Sequence, residues 1–95
     1  MTRYKQPNEV KPIGMDFSPW LPTGETLLGT SNVKVYDSSN TDVTATMVQS
    51  QTVNHPYLDA LIKGGTNGAD YKITFTAITQ NDTWEYDVTL KVREQ

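Results

Sequence analysis

Strict alternation in "DTWEYDVTLKV" (82–92) constrains this chain more than any other feature. Trp84, Tyr86, Val88, Leu90 and Val92 share one side of an extended backbone; Glu85, Asp87, Thr89 and Lys91 share the other. A period of two marks a half-buried strand, because successive Cβ atoms leave a strand on opposite faces. "YKITFTAIT" (71–79) repeats the pattern with Tyr71, Ile73, Phe75 and Ala77 on one side. The polar run Gln80-Asn81-Asp82 lies between the two, so a β-hairpin is predicted there.

The rest of the chain carries the same signal more weakly. Val33 and Val35 align in "NVKVYD", Val43, Ala45 and Met47 in "DVTATMVQ", and Leu58, Ala60 and Ile62 in "YLDALIKGG". Turn-forming clusters separate them at 38–40 ("SSN") and 64–68 ("GGTNG"). Fourteen threonines and eight valines favour a pleated surface over a helix, and no segment shows a 3.6-residue period. The stretch "FSPWLP" (17–22) combines Phe17, Trp20 and Leu21 with Pro19 and Pro22. Two prolines exclude a helix and a central strand, which leaves a kinked edge strand whose aromatic residues plug one end of a core. Ninety-five residues make one domain at most. The expected fold is all-β, an immunoglobulin-like antiparallel β-sandwich of about seven strands. Residues 13–95 form that sandwich and residues 1–12 a flexible N-terminal arm. Ile73, Phe75, Val88 and Leu90, with Val35 and Met47, are the expected core.

"NGADYKI" sharpens the fold expectation. Asn67-x-Ala69-x-Tyr71-x-Ile73 follows the pattern of a tyrosine corner, in which a hydroxyl at the start of the penultimate strand bonds upstream backbone. Asn67 stands where Asp is usual, and Ile73 stands where an inter-sheet cysteine would be. The chain has no cysteine, so the core must hold by packing alone.

The same inventory argues against several functions. Net charge is −3 and the eight basic residues are scattered, which is not the footprint of a nucleic-acid binder. No window is apolar enough to span a membrane, and "MTRYKQPNEVKP" has no apolar core of a secretory leader. The single histidine, His55, precedes a proline in a polar loop and reads as a solvated turn residue. Asp37, Asp42 and Asp70 could meet at one end of a sandwich, but no calcium-loop spacing joins them. "GGTNG" lacks the lysine and helix of a phosphate cradle. No catalytic, cofactor-binding or metal-ligating residue is assigned, and no enzyme is expected.

Three runs together resemble a known family. They are Asp16-Phe17-Ser18-Pro19-Trp20-Leu21 with Gly24-Glu25-Thr26-Leu27 and Ser31; Gly64-Gly65-Thr66-Asn67-Gly68-Ala69-Asp70-Tyr71-Lys72-Ile73-Thr74; and Val92-Arg93-Glu94. Over about four fifths of its length the chain is similar to small tailed-phage and prophage virion structural proteins of the fiber–tail adaptor or head–tail type. It departs from the family at Val33, where Trp is frequent, and at Asn81-Asp82, where Gly is frequent. The resemblance implies an immunoglobulin-like fold and a non-enzymatic adaptor that binds other virion proteins or copies of itself. It implies a place in the virion, and in the host bacterial cytoplasm before assembly, with the isolated domain a monomer. On this reading the arm and a neighbouring sheet edge dock a partner, and Arg3, Tyr4, Lys5 and Trp20 are the interface residues. A sugar- or surface-ligand-binding module is the alternative; it would use exposed aromatic rings such as Trp20 and Tyr57.

Overall fold

A computed structural model describes residues 2–94. Seven strands and one short helix follow in chain order: β1 (Thr2–Lys5), β2 (Lys11–Asp16), β3 (Asn32–Tyr36), α1 (Thr44–Met47), β4 (Val48–Asn54), β5 (Tyr57–Ile62), β6 (Asp70–Ile78) and β7 (Thr83–Val92). They form a four-stranded sheet in the order β1-β7-β6-β3 and a three-stranded sheet in the order β2-β5-β4. The long hairpin β6–β7 pairs from Asp70↔Lys91 to Ile78↔Thr83. Its inner side buries Ile73, Phe75, Ala77, Val88, Leu90 and Val92 completely. Ile13, Met15, Leu58, Ala60 and Ile62 of the three-stranded sheet are buried in the same core, with Val33, Val35 and Met47. The period-two pattern of the sequence is therefore the core itself.

Three expectations change. The arm expected at 1–12 is largely strand. Thr2–Lys5 pairs in parallel with Thr89–Val92, so the sandwich is not wholly antiparallel. β2 crosses the boundary expected after residue 12 and pairs antiparallel with β5 from Lys11↔Ile62 to Asp16↔Tyr57. Backbone pairing, rather than apolar area, seats β1, and polar composition hid it. Second, residues 17–21 form a turn and not an edge strand. The N–H groups of Trp20 and Leu21 both donate to the Phe17 carbonyl, at 2.9 and 3.2 Å, and Asp16 Oδ1 accepts from the Ser18 N–H at 2.9 Å. Phe17 itself is buried, so the turn hangs on one core residue. Third, the strand expected around 43–48 begins as helix α1, whose Met47 is buried. The strand proper is the polar segment that follows; only Val48 and Val53 of β4 are partly buried.

Side chains cap two of the sheet edges. On the outer edge of β3, the Val33 N–H donates to Gln51 Oε1 at 2.7 Å and the Val35 N–H to Thr44 Oγ1 at 2.9 Å. On β1 the Lys11 ammonium donates to the Tyr4 carbonyl at 3.0 Å. Such caps keep unpaired main-chain groups from recruiting other chains.

The C-terminal end of β7 is tied twice to the 64–70 segment. Asp70 takes Arg93 at 2.8 Å and Lys91 at 3.4 Å. The Arg93 hydrogen bond chiefly, with Lys91 adding to it, holds the Asp70 carboxyl below the ordinary carboxylate range. A depressed folded-state pKa adds stability that is present above the unfolded carboxylate's pKa, about 3.9, and is lost as pH falls through the folded value. Asp70→Asn should therefore lower the denaturant midpoint at neutral pH and flatten its decline in acid. An acid profile that matches the parent's would remove that role from Asp70.

Tyr71 is buried, and its hydroxyl accepts the Thr66 backbone N–H at 2.9 Å. The bond closes the glycine-rich connection onto the strand that follows it. Gly65, at φ +95°, sits where a Cβ would come within 2.8 Å of Val92 Cγ2, so the connection has no room for a side chain there. Losing one such bond costs about 0.5–1.5 kcal/mol net. Tyr71→Phe should be destabilised by that amount in chemical denaturation, and a mutant as stable as the parent would show the bond to be idle.

Candidate functional site

β1 covers only the second half of β7. Its four residues lie beside Thr89–Val92, and among the described residues no strand lies beside Thr83–Val88 on that side. Burial falls off toward the uncovered end of β7. Val88, Leu90 and Val92 are wholly buried, whereas Trp84 and Tyr86, on the same face, are only partly buried. The turn at 17–21 brings Trp20 to this place. Its ring centroid lies 5.6 Å from that of Phe17 and 5.9 Å from that of Tyr86, and the residue is still 45% exposed. Phe17, Trp20, Trp84, Glu85 and Tyr86 line a depression of about 210 Å³. It is apolar except for Glu85.

The opposite face of the same sheet is polar. Lys34 and Tyr36 on β3, Lys72 on β6, and Glu85 and Asp87 on β7 stand around a depression of about 470 Å³. The Lys72 ammonium lies 5.1 Å from the Tyr36 ring centroid, and the Thr74 hydroxyl donates to Asp87 Oδ1 at 2.8 Å. Among the described residues, both ion pairs belong to Asp70. The acidic pair thus stands at the uncovered margin of the sheet without a basic partner of its own.

The residues expected at an interface fall in different places. Tyr4 is 54% exposed and registers with Lys91. Arg3 registers with Leu90, is partly buried, and leaves its Nε buried without a hydrogen-bond partner. Lys5 is a correction: it is 2% exposed, and its ammonium donates to the carbonyls of Gln6, Pro7 and Gly64 at 2.7, 3.2 and 2.6 Å. Desolvation holds its pKa below the ordinary lysine value, with the Glu9 charge opposing. Lysines are internal only when their charge is met, and three carbonyls meet this one. Trp20 and Tyr4 both lie along β7, Trp20 against Tyr86 and Tyr4 opposite Lys91. At the far end, Asn67 is exposed and accepts the Glu94 N–H at 2.9 Å, while Ala69 packs against the core.

The polar residues considered for chemistry are engaged locally. Asp37 accepts the N–H groups of Ser39 and Thr41, and Asp42 that of Thr44, each at 2.9 Å. His55 does more than turn the chain: its Nδ1 accepts the Leu27 N–H at 3.2 Å and ties the 22–28 segment to the β4–β5 connection. What the sequence did not disclose is the exposure of Trp84 and Tyr86. Their alternation places them on the core face, but they stand at the end of β7 that β1 does not reach and stay partly exposed.

The chain is a small two-sheet all-β module with an uncovered half-edge and an aromatic depression beside it. The model of the family described as podophage GP4 fiber-tail adaptor protein gp77 matches residues 5–93, and the chain belongs to that family. No curated protein and no solved structure matches it. The family is one of phage tail adaptors, and this chain folds as a β-sandwich of a four-stranded and a three-stranded sheet.

Proposed function

We propose that the chain is a non-enzymatic structural component of a phage or prophage virion that joins tail and fiber through protein–protein contacts. The family match across residues 5–93 carries this reading. The partners are other virion proteins or further copies of the chain. The protein resides in the particle, after a period in the host cytoplasm. The sandwich itself we read as immunoglobulin-like. Strands β2-β5-β4 opposite β7-β6-β3 reproduce the order B-E-D opposite G-F-C. The first strand lies beside the last instead of beside β2, which is the departure from the constant-type arrangement.

A sugar-binding reading would need Trp20 and Tyr57 to present one stacking platform. Trp20 packs against Phe17 and Tyr86, and the family match favours the protein-binding reading. Removal of the gene from an active phage tests the proposal. Particles should form tails that lack fibers, and supplying the protein in trans should restore them. Fully fibered, infectious particles made without it would overturn the adaptor function.

A further inference from the structure

We infer that the outer edge of β7 at Thr83–Val88 accepts an extended strand from a partner protein, one whose apolar side chains alternate with lysine or arginine. The inference rests on the adaptor reading and adds to it the contact surface and the chemistry of the partner.

Hydrogen-bond parity fixes which main-chain groups are offered. The Thr79 N–H donates to the Asp82 carbonyl at 2.9 Å, and the Val92 N–H to the Ala69 carbonyl at 3.0 Å. Bonded pairs alternate along an antiparallel ladder, so the even residues of β7 bond β6 and the odd residues face the other way. The Arg93 N–H, which donates to the Lys5 carbonyl at 2.9 Å, agrees with this parity. β1 lies beside Thr89 and Lys91. Thr83, Glu85 and Asp87 have the same orientation and no strand beside them among the described residues. The vacant row is collinear with β1, so a strand placed there would continue an existing ladder.

Three of the other edges are less suited. Side chains cap β3, and Lys11 caps β1. The outer edge of β2 includes Pro12, which has no N–H to give. The β7 half-edge also has a pocket in the right position. Alternate side chains of an added strand would fall on the inner side, against Phe17, Trp20, Trp84 and Tyr86. The intervening side chains would fall on the outer side, beside Glu85 and Asp87. Opposite charges on neighbouring strands favour pairing and like charges oppose it. An added strand uses main-chain bonds for affinity and alternate side chains for selection. Here the selection is for apolar residues inside and basic residues outside.

The test uses the full chain, ¹⁵N-labelled, and a synthetic peptide that alternates lysine with valine; its control alternates glutamate with valine. The lysine peptide should give intermolecular contacts to the Glu85 and Asp87 amides and slow their hydrogen exchange. The charge-reversed variant E85K/D87K loses the Thr74–Asp87 hydrogen bond but should stay folded at the assay temperature, bind the lysine peptide roughly tenfold more weakly, and favour the glutamate peptide. Glu85→Pro removes an outward N–H while leaving the β6 ladder, and should abolish binding of both peptides. Should the proline variant unfold, E85K/D87K decides alone. Contacts that map to another edge, equal binding of both peptides, or no binding would overturn the inference. Virions separate the two readings. If the wild-type chain does not sediment with purified particles, the adaptor reading fails whatever the peptides do. If it does, and E85K/D87K is incorporated equally well, the strand-acceptor inference alone fails.

Discussion

Phe75→Ala is expected to leave the protein mostly unfolded at physiological temperature. Phe75 is wholly buried in the middle of β6, between Val33 on β3 and Tyr86 on β7. Truncation of a buried phenylalanine costs about 3–5 kcal/mol, from lost transfer energy and the cavity left behind. Small domains have total stabilities near the low end of about 5–15 kcal/mol. No disulfide constrains the unfolded chain, because there is no cysteine. A thermal melt followed by circular dichroism reads the outcome. A cooperative transition within a few degrees of the parent's would mean that the core does not centre on this residue.

Deletion of the chain through Lys5 is the second large effect. The sequence alone makes residues 1–12 a free arm whose loss should leave the melting temperature nearly unchanged; the pairing of Thr2–Lys5 with β7 leads to the opposite expectation. Removing β1 uncovers Leu90 and Val92, both wholly buried, and strips β7 of its neighbour at Thr89–Val92. It also removes the Lys5 ammonium from the carbonyls of Gln6, Pro7 and Gly64. Two re-exposed aliphatic side chains and several broken hydrogen bonds amount to about 2–5 kcal/mol. Denaturant titration of the truncated chain should show a clearly lower midpoint. An unchanged midpoint would show that β1 contributes nothing to stability and that the arm description was right. The two deletions of function and of fold must be kept apart: a truncated protein that fails to enter particles could do so because it has unfolded. The charge-reversed edge variant reduces that ambiguity, since Glu85 and Asp87 are exposed and the fold loses one cross-strand hydrogen bond, Thr74 to Asp87.

The hairpin of β6 and β7 was legible because it is amphipathic: ten alternating positions leave one reading of which face is inside. The same rule fails for β1 and β4. β1 is held by main-chain pairing and by an internal lysine, and a charged residue at the chain start reads as solvated. β4 has a mostly exposed surface, with Ser50, Gln51 and Thr52 in its centre, so it shows no apolar alternation. Helix α1 is a single turn, too short for a period to appear. The turn at 17–21 was recognisable as kinked from its prolines, but not as the support that carries Trp20 to Tyr86. That contact spans distant segments, and so does the cover that β7 lacks. Whether Trp84 and Tyr86 are core or surface depends on what distant segments cover that end of β7. A local pattern cannot supply that, and so the candidate surface became visible only in three dimensions.

A reconstruction of the intact phage tail at a resolution that traces the main chain tests the central claim most directly. It should show this domain between tail and fiber, with an extended segment of a neighbouring protein paired to β7 at Glu85 and Asp87, and with apolar side chains against Trp20, Trp84 and Tyr86. A tail built without the domain, or a domain seated there through another surface while this edge stays bare, would contradict it.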